Sequence, residues 1–194
     1  LEVEVDPRPI GKGGALIKGF QQAAGEWIGF VDADGSTPPE AFQDLFDKKA
    51  GSDGIIASRW MTGSAVSPRQ PLSRRIASRC FNIITRIMFG LKFADSQCGA
   101  KLFRNEAVKA VLPSLGTTKW AFDVDLLFQM KRLGYRVREV PTIWHDVAGS
   151  KISAVAWTSL EMFVALSRLR LVYSPFSFLV KLYDRTLGPV IMPS

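Results

Sequence analysis

Two aspartates separated by one residue, Asp32 and Asp34, close a short apolar run, Trp27-Ile28-Gly29-Phe30-Val31. Such a run reads as a strand buried on both faces. In an open α/β sheet, ligands bind beyond the carboxyl ends of the strands. Two carboxylates held there repel one another unless a cation joins them. Mg²⁺ or Mn²⁺, bound by one or two carboxylates and by substrate phosphates, is the chemistry this arrangement predicts. The plainer alternative is a polar loop that caps the next helix. Upstream, Gly11-Lys12-Gly13-Gly14 either brings backbone amides to a phosphate at a helix start or forms a tight turn. It is not the P-loop pattern, which ends in Gly-Lys-Ser/Thr. Asp95-Ser96-Gln97-Cys98-Gly99 is a polar cluster that either places Asp95 in a cleft or simply turns the chain. Cys98 has no histidine near it in sequence and reads as a buried packing residue. His145, the single histidine, reads as structural. Asp123 and Asp125 are two apart and cannot share a helix face, so one is expected to enter a site and the other to be solvated.

The elements that must position these groups follow from periodicity. Leu1–Val5 alternates like a strand, the Gly-rich turn comes next, and Ala15–Ala24 reads as a helix with Leu16, Phe20 and Ala23 on one face. After the aspartates, Pro38-Pro39 starts a helix with Phe42, Leu45 and Phe46 as its apolar face. Gly54–Ser58 is a further strand. This alternation argues an α/β fold with a mainly parallel sheet. Met61–Arg69 reads as a loop. Leu72–Leu91 is a long amphipathic helix with Ile76, Cys80, Ile83, Ile84, Ile87, Met88 and Leu91 in one stripe, and Arg75, Arg79, Asn82 and Arg86 in another. Guanidiniums in a row suit phosphate oxygens. Beside an apolar stripe they also suit a membrane surface, and an ordinary solvated basic face is the third reading. Asp95–Phe103 reads as a loop and strand, Asn105–Val111 and Asp123–Leu133 as helices, and Val137–Ile143 as a strand. Ile152–Ser194 is richer in Ala, Trp, Phe, Leu and Val. Its longest uncharged run is far short of the roughly 18–20 residues that span a bilayer, so helices lying in the membrane interface are expected there.

Composition bounds the function. The chain has 194 residues, 47% hydrophobic and 22% charged, a profile that excludes wholesale disorder. The net charge of +7 calls for an anionic partner. Two cysteines exclude a disulfide scaffold, and one histidine excludes a His-rich metal site. No nucleic-acid-binding motif is recognisable, and no nucleic-acid partner is expected.

Taken in order, Gly-Lys-Gly-Gly-Ala (11–15), Asp-Ala-Asp-Gly (32–35), Ser58-Arg59, Asp-Ser-Gln-Cys-Gly-Ala-Lys-Leu-Phe (95–103), Trp-Ala-Phe-Asp-Val-Asp-Leu-Leu (120–127) and Gly-Ser-Lys (149–151) resemble the inverting family 2 glycosyltransferases. Within that family the blocks are most similar to the enzymes that load a hexose onto polyprenyl phosphate, in particular the dolichyl-phosphate β-glucosyltransferases. The resemblance implies a GT-A-like fold over residues 1–151, starting at about the third strand and so lacking its N-terminal part. Residues 152–194 would form a membrane-interfacial tail of amphipathic helices. It implies a nucleotide-sugar donor, UDP-glucose, and a polyprenyl or dolichyl phosphate acceptor. Asp32 and Asp34 would hold Mg²⁺ or Mn²⁺ against the donor diphosphate, with Lys12 also on the donor. Asp34 and Asp95 would serve catalysis, and Arg59, Arg74, Ser78 and Lys151 would bind the acceptor phosphate. Ser36 stands where some relatives carry Gln. The site of action would be the cytoplasmic face of a membrane, and a homo-oligomer is compatible with the pattern.

Three rival functions remain at this point. One is the related dolichyl-phosphate mannosyltransferase reaction with GDP-mannose. Another is a binder of nucleic acid or an anionic surface, which leaves Asp32 and Asp34 without a purpose. The last is a basic membrane-surface protein without catalysis.

Overall fold

The computed structural model describes residues 5–7, 10–116, 121–146 and 155–186. The expected first strand therefore lies outside the described residues except for Val5, which is exposed and belongs to no element. A mixed four-stranded sheet forms the centre, in the order β1 (Trp27–Val31), β4 (Ala100–Arg104), β2 (Gly54–Ser58), β5 (Val137–Pro141). β4 is antiparallel to both β1 and β2, while β2 and β5 run parallel. Three strands thus point one way, as the strand–helix alternation predicts, and β4 is wedged among them in the opposite sense. A second sheet pairs β3 (Ala65–Ser67) with β6 (Ile143–His145) in parallel. β3 falls inside the segment read as a loop. Three residues with Pro68 following give too short a run to register as a strand.

Side chains alternate across the sheet, and the two faces bury different sets. Ile55, Ala57, Ala100 and Leu102 pack with Leu45 of α2 (Pro39–Asp47) on one face. Ile28, Phe30, Ile56 and Phe103 pack on the other, where α1 (Gly11–Gln22), α4 (Asn105–Val111), α5 (Phe122–Arg132) and α6 (Val155–Val172) cover them. The result is a three-layer α/β sandwich. α2 begins at the second of two prolines, as the fixed proline φ favours. α1 starts four residues earlier than expected, because the Gly-rich segment is its first turn; Gly11, at φ +66°, makes the entry.

α3 (Leu72–Phe89) corrects the periodicity reading most clearly. Its buried residues are Phe81, Asn82, Thr85 and Phe89. Ile84 and Met88 reach the core only in part. Ile76, Ile83 and Ile87, three members of the apolar stripe, are 54%, 55% and 79% exposed, so this part of the stripe faces away from the core. Cys80 is exposed with them, and Leu91 lies buried beyond the left-handed Gly90 that ends the helix. Asn82, read as part of the basic face, is instead buried, and its amide oxygen accepts from the Ser96 backbone N–H and hydroxyl at 2.9 Å. The pairing with Ser96 outweighs hydrophobicity in choosing which face turns inward, because a buried amide must be satisfied.

α6 buries Ala165, Leu166 and Leu169 in the main core and leaves Trp157, Leu160 and Phe163 exposed. A turn at Ser177–Leu179 and α7 (Val180–Thr186) follow, with Phe176, Phe178 and Leu182 also exposed. Among the described residues no helix is long and apolar enough to cross a membrane.

This assignment of faces is testable by urea denaturation. Ile87→Gln should change stability by no more than about 0.5 kcal/mol. Phe81→Ala, on the face buried against the domain, should cost about 3 kcal/mol.

Candidate active site

The reversed direction of β4 creates the site. The ends of β1 and β2 lie at the same edge of the sheet as the approach to β4. Asp32 therefore leaves β1 beside Gly99, its backbone N–H donating to the Gly99 carbonyl at 2.8 Å. Arg59 leaves β2 beside Asp95. A Cβ on residue 99 would collide with the Asp32 carboxylate, so only glycine lets that carboxylate lie against this backbone.

Two ionic groups line the edge. In the first, Lys12 Nζ lies 2.7 Å from Asp32 Oδ1 and 3.0 Å from Asp123 Oδ2. Lys101 Nζ, with no exposed side-chain surface, lies 2.7 Å from Asp123 Oδ1 and donates to the Cys98 carbonyl at 2.6 Å. Positive and negative charges thus alternate from Lys101 outward to Asp32. Burial opposes the charge on Asp123, but Lys101 and Lys12 overcome it and hold its carboxyl below the usual range. Burial likewise opposes the charge on Lys12, and Asp123 and Asp32 outweigh it, raising its pKa.

In the second group, Arg59 grips Asp95 through Nε at 2.7 Å and Nη2 at 3.0 Å, and its backbone N–H adds a third bond. Glu139 on β5 accepts from the backbone N–H of Ala94 and Asp95 and so fixes the loop. Burial disfavours both charges, yet the pairing wins: the Asp95 carboxyl is held below, and the Arg59 guanidinium above, its ordinary value. Trp144 on β6 stacks under Arg59, and Arg79 on α3 stacks on Trp60. The indole N–H groups of Trp60 and Trp144 and the Thr37 hydroxyl are buried without a hydrogen-bond partner among the described residues.

The structure places the expected site residues as follows. Asp32 is partly buried at the edge, while Asp34 is exposed and one of its oxygens accepts the Ser36 N–H at 2.9 Å. Ser36 itself is buried, its carbonyl accepting from the His145 N–H. Arg74 pairs with Asp146 at 3.5 Å, and Gln70 holds the other Asp146 oxygen. Ser78 lies one helical turn beyond Arg74 on α3. β6 ties these together, since Trp144 packs against Arg59 and Asp146 follows two residues later. Asp95, expected to serve catalysis, is fully buried, and both its oxygens are held by Arg59. For the same reason two of the Arg59 guanidinium N–H donors are already committed. Lys151 and Trp120 lie outside the described residues.

Asp125 is not solvated as expected. It is buried, and its carboxylate accepts from the Tyr173 hydroxyl at 2.6 Å and the Gly116 N–H, locking α6 to α5. Cys98 is buried as expected, its thiol pushed up to about 12 by burial and then by Asp95. Lys101, Glu139, Trp60 and Trp144 carry no motif that singles them out. A lysine inside the apolar run Ala100–Phe103 was the available signal for a buried ionic partner.

The donor set suits a hard divalent cation. The Lys12 ammonium already stands on Asp32 as a cation would, and Asp34 is exposed with one oxygen taken by the Ser36 N–H. Among the described residues no group of three or more carboxylate, histidine or cysteine side chains gathers.

Residues 2–112 match the family described as Glycosyl transferase family 2. The chain is 31% identical over 169 residues to the dolichyl-phosphate β-glucosyltransferase of Dictyostelium discoideum, covering 84% of this chain and 51% of that protein. It is 30% identical over 148 residues to glycosyltransferase AglD of Haloferax volcanii, covering 75% of this chain and 23% of that one. The chain thus spans about half the length of the first relative and under a quarter of the second. Among solved structures, the glucosyl-3-phosphoglycerate synthase of Mycobacterium tuberculosis, in complex with Mn²⁺, UDP-glucose and phosphoglyceric acid, superposes with a TM-score of 0.56 at 17% identity. That likeness covers 84% of this chain and 55% of the synthase, and it shows the fold, the GT-A arrangement.

The charge alternation has a pH signature. Lys101→Met leaves Asp123 buried beside Lys12 alone and should cost about 3 kcal/mol at neutral pH. Because the Asp123 pKa is depressed, the stability it contributes is present above the ordinary carboxyl range and lost as pH falls. The gap between wild type and variant should therefore narrow in acid. Urea titrations at pH 7 and at pH 3, below the ordinary carboxyl value, measure it.

Proposed function

The chain belongs to glycosyltransferase family 2, and on that premise we propose that it transfers glucose from UDP-glucose to a polyprenyl phosphate of the dolichyl type, with inversion, at a membrane surface. The observation that carries the reading is the gathering at one sheet edge of a cation-holding carboxylate, Asp32, with an arginine-lined approach from α3. The first serves a donor diphosphate and the second an acceptor phosphate. The names of the similar proteins support the substrates: dolichyl-phosphate β-glucosyltransferases recur among them. A protein of the same fold carries Mn²⁺ and UDP-glucose.

The acceptor phosphate is already an anion, so its oxygen attacks the anomeric carbon with little need of a general base. This agrees with an Asp95 that cannot reach substrate. Arg74, Ser78 and Arg79 bring the phosphate to the sugar, while Arg59 and Asp95 brace the wall behind it. Lys151, in Gly-Ser-Lys, is assigned to the same acceptor phosphate. Asp32 and Asp34 hold the cation, with Lys12 beside them on the donor. A bound Mg²⁺ or Mn²⁺ supplies charge neutralisation to the departing diphosphate.

A lipid acceptor keeps its chain in the bilayer, so the enzyme must meet the surface. The exposed apolar row Leu72, Ile76, Ile83 and Ile87 of α3, flanked by Arg75, Arg79 and Arg86, suits an anionic interface, as do Trp157, Leu160 and Phe163 of α6. Loss of flotation on phosphatidylserine vesicles by Ile83→Glu/Ile87→Glu, with folding unchanged, is expected; unaltered flotation would place the contact on the tail alone.

The deciding assay incubates the protein in detergent with polyprenyl phosphate and radiolabelled UDP- and GDP-sugars. Label should enter the lipid from UDP-glucose, and Asp34→Asn or EDTA should abolish most of the transfer. Transfer from GDP-mannose instead would favour the mannosyltransferase reading, and full activity in EDTA would remove the metal. Arg74→Ala should raise KM for polyprenyl phosphate far more than for the nucleotide-sugar.

A further inference from the structure

The position of Lys12 sets up a competition that bears on the order in which ligands enter. Its ammonium bridges Asp32 Oδ1 at 2.7 Å and Asp123 Oδ2 at 3.0 Å, and sits 5.3 Å over the Phe30 ring. Asp123 is pinned from behind by Lys101, which is completely buried and has the Cys98 carbonyl as its other partner. The four side chains balance, two cations against two anions. A divalent cation arriving at Asp32 breaks that balance, because it must take a carboxylate that already has an ammonium on it.

We propose that Lys12 is a resident counter-cation that couples metal binding to donor binding: it opposes a divalent cation alone at Asp32 and favours the same cation when it arrives with a nucleoside diphosphate. This rests on the reading of Asp32 as a metal ligand given above. The argument is one of charge. With the metal alone, Lys12 gives up Asp32 and stands next to a dication, a like-charge contact. With the metal and a diphosphate together, the displaced ammonium gains phosphate oxygens as partners. Asp123 Oδ2, which Lys12 already touches, acts as the pivot that keeps the ammonium at the site in both states. Lys101 keeps Asp123 from moving. Coupling of this kind is reciprocal: the metal must tighten the diphosphate by the same factor as the diphosphate tightens the metal.

The experiment is direct Mn²⁺ binding to the intact protein, read by the EPR signal of free Mn²⁺, with and without UDP and with a Mn²⁺–UDP blank. Wild type is compared with Lys12→Gln, which leaves the Lys101–Asp123 pair intact, and with Asp32→Asn. In Lys12→Gln, Mn²⁺ without nucleotide should bind more tightly by on the order of fivefold, the worth of a partly exposed ion pair. The enhancement of Mn²⁺ binding by UDP should shrink in the same variant. Circular dichroism establishes that it is folded. If Lys12→Gln binds Mn²⁺ alone no better than wild type, or keeps the full UDP enhancement, the coupling role is overturned while the metal site stands. If Asp32→Asn binds Mn²⁺ as wild type does, the metal site itself is overturned and the coupling with it.

Discussion

Lys101 carries a full charge in a place that water does not reach, and the architecture of the site follows from satisfying it. The residue sits on β4 on the face covered by α1 and α5, among Ile56, Phe103 and Phe30. A buried ammonium without partners would cost several kcal/mol. It is met by the Cys98 carbonyl and by Asp123 at the start of α5. Asp123 then has one oxygen left for Lys12, and Lys12 reaches Asp32. The chain of contacts ties α5, α1 and the end of β1 to β4, so Asp32 is positioned by a charge buried on the neighbouring strand. It works because β4 runs against its neighbours and starts where they end.

The same edge divides into two kinds of surface. Toward α1 and α5 it offers carboxylates backed by lysines, suited to a cation and a diphosphate. Toward α3 and β6 it offers guanidiniums on indoles, with Arg59 braced on Trp144 and Arg79 on Trp60. Asp95 and Glu139 lie between, neither reaching out. They hold the loop that joins the two halves through backbone N–H groups. The proposed transfer between two phosphate-bearing substrates needs such a division, since each anion must be held without repelling the other.

Much of this was legible in the sequence. The strands Gly54–Ser58 and Trp27–Val31, the helix Asn105–Val111 and the proline start of α2 follow from local patterns, and the structure has them at those residues. Asp32 was legible because a strand end followed by a proline-started helix fixes its place in an α/β sheet. The inward face of α3 was not. Its isoleucines outnumber its buried aromatics, and only the distant Ser96 shows why Asn82 turns in. Nor was the sense of β4, because an apolar run has the same period in either direction. The pairing of Asp123 with Lys101 spans 22 residues, and that of Arg59 with Asp95 spans 36, separations at which helical or strand spacing no longer relates two side chains.

The account turns on whether the carboxylates after β1 are where a cation meets the donor diphosphate while the buried pair behind them stays intact. Crystals of the protein grown with Mn²⁺ and UDP, measured at the manganese absorption edge, address this most directly. The account predicts an anomalous peak coordinated by Asp32 or Asp34 together with phosphate oxygens, with Lys12 moved from Asp32 onto the diphosphate and Lys101 still on Asp123. A manganese peak bound by other residues, with Lys12 still closed on Asp32, would contradict it.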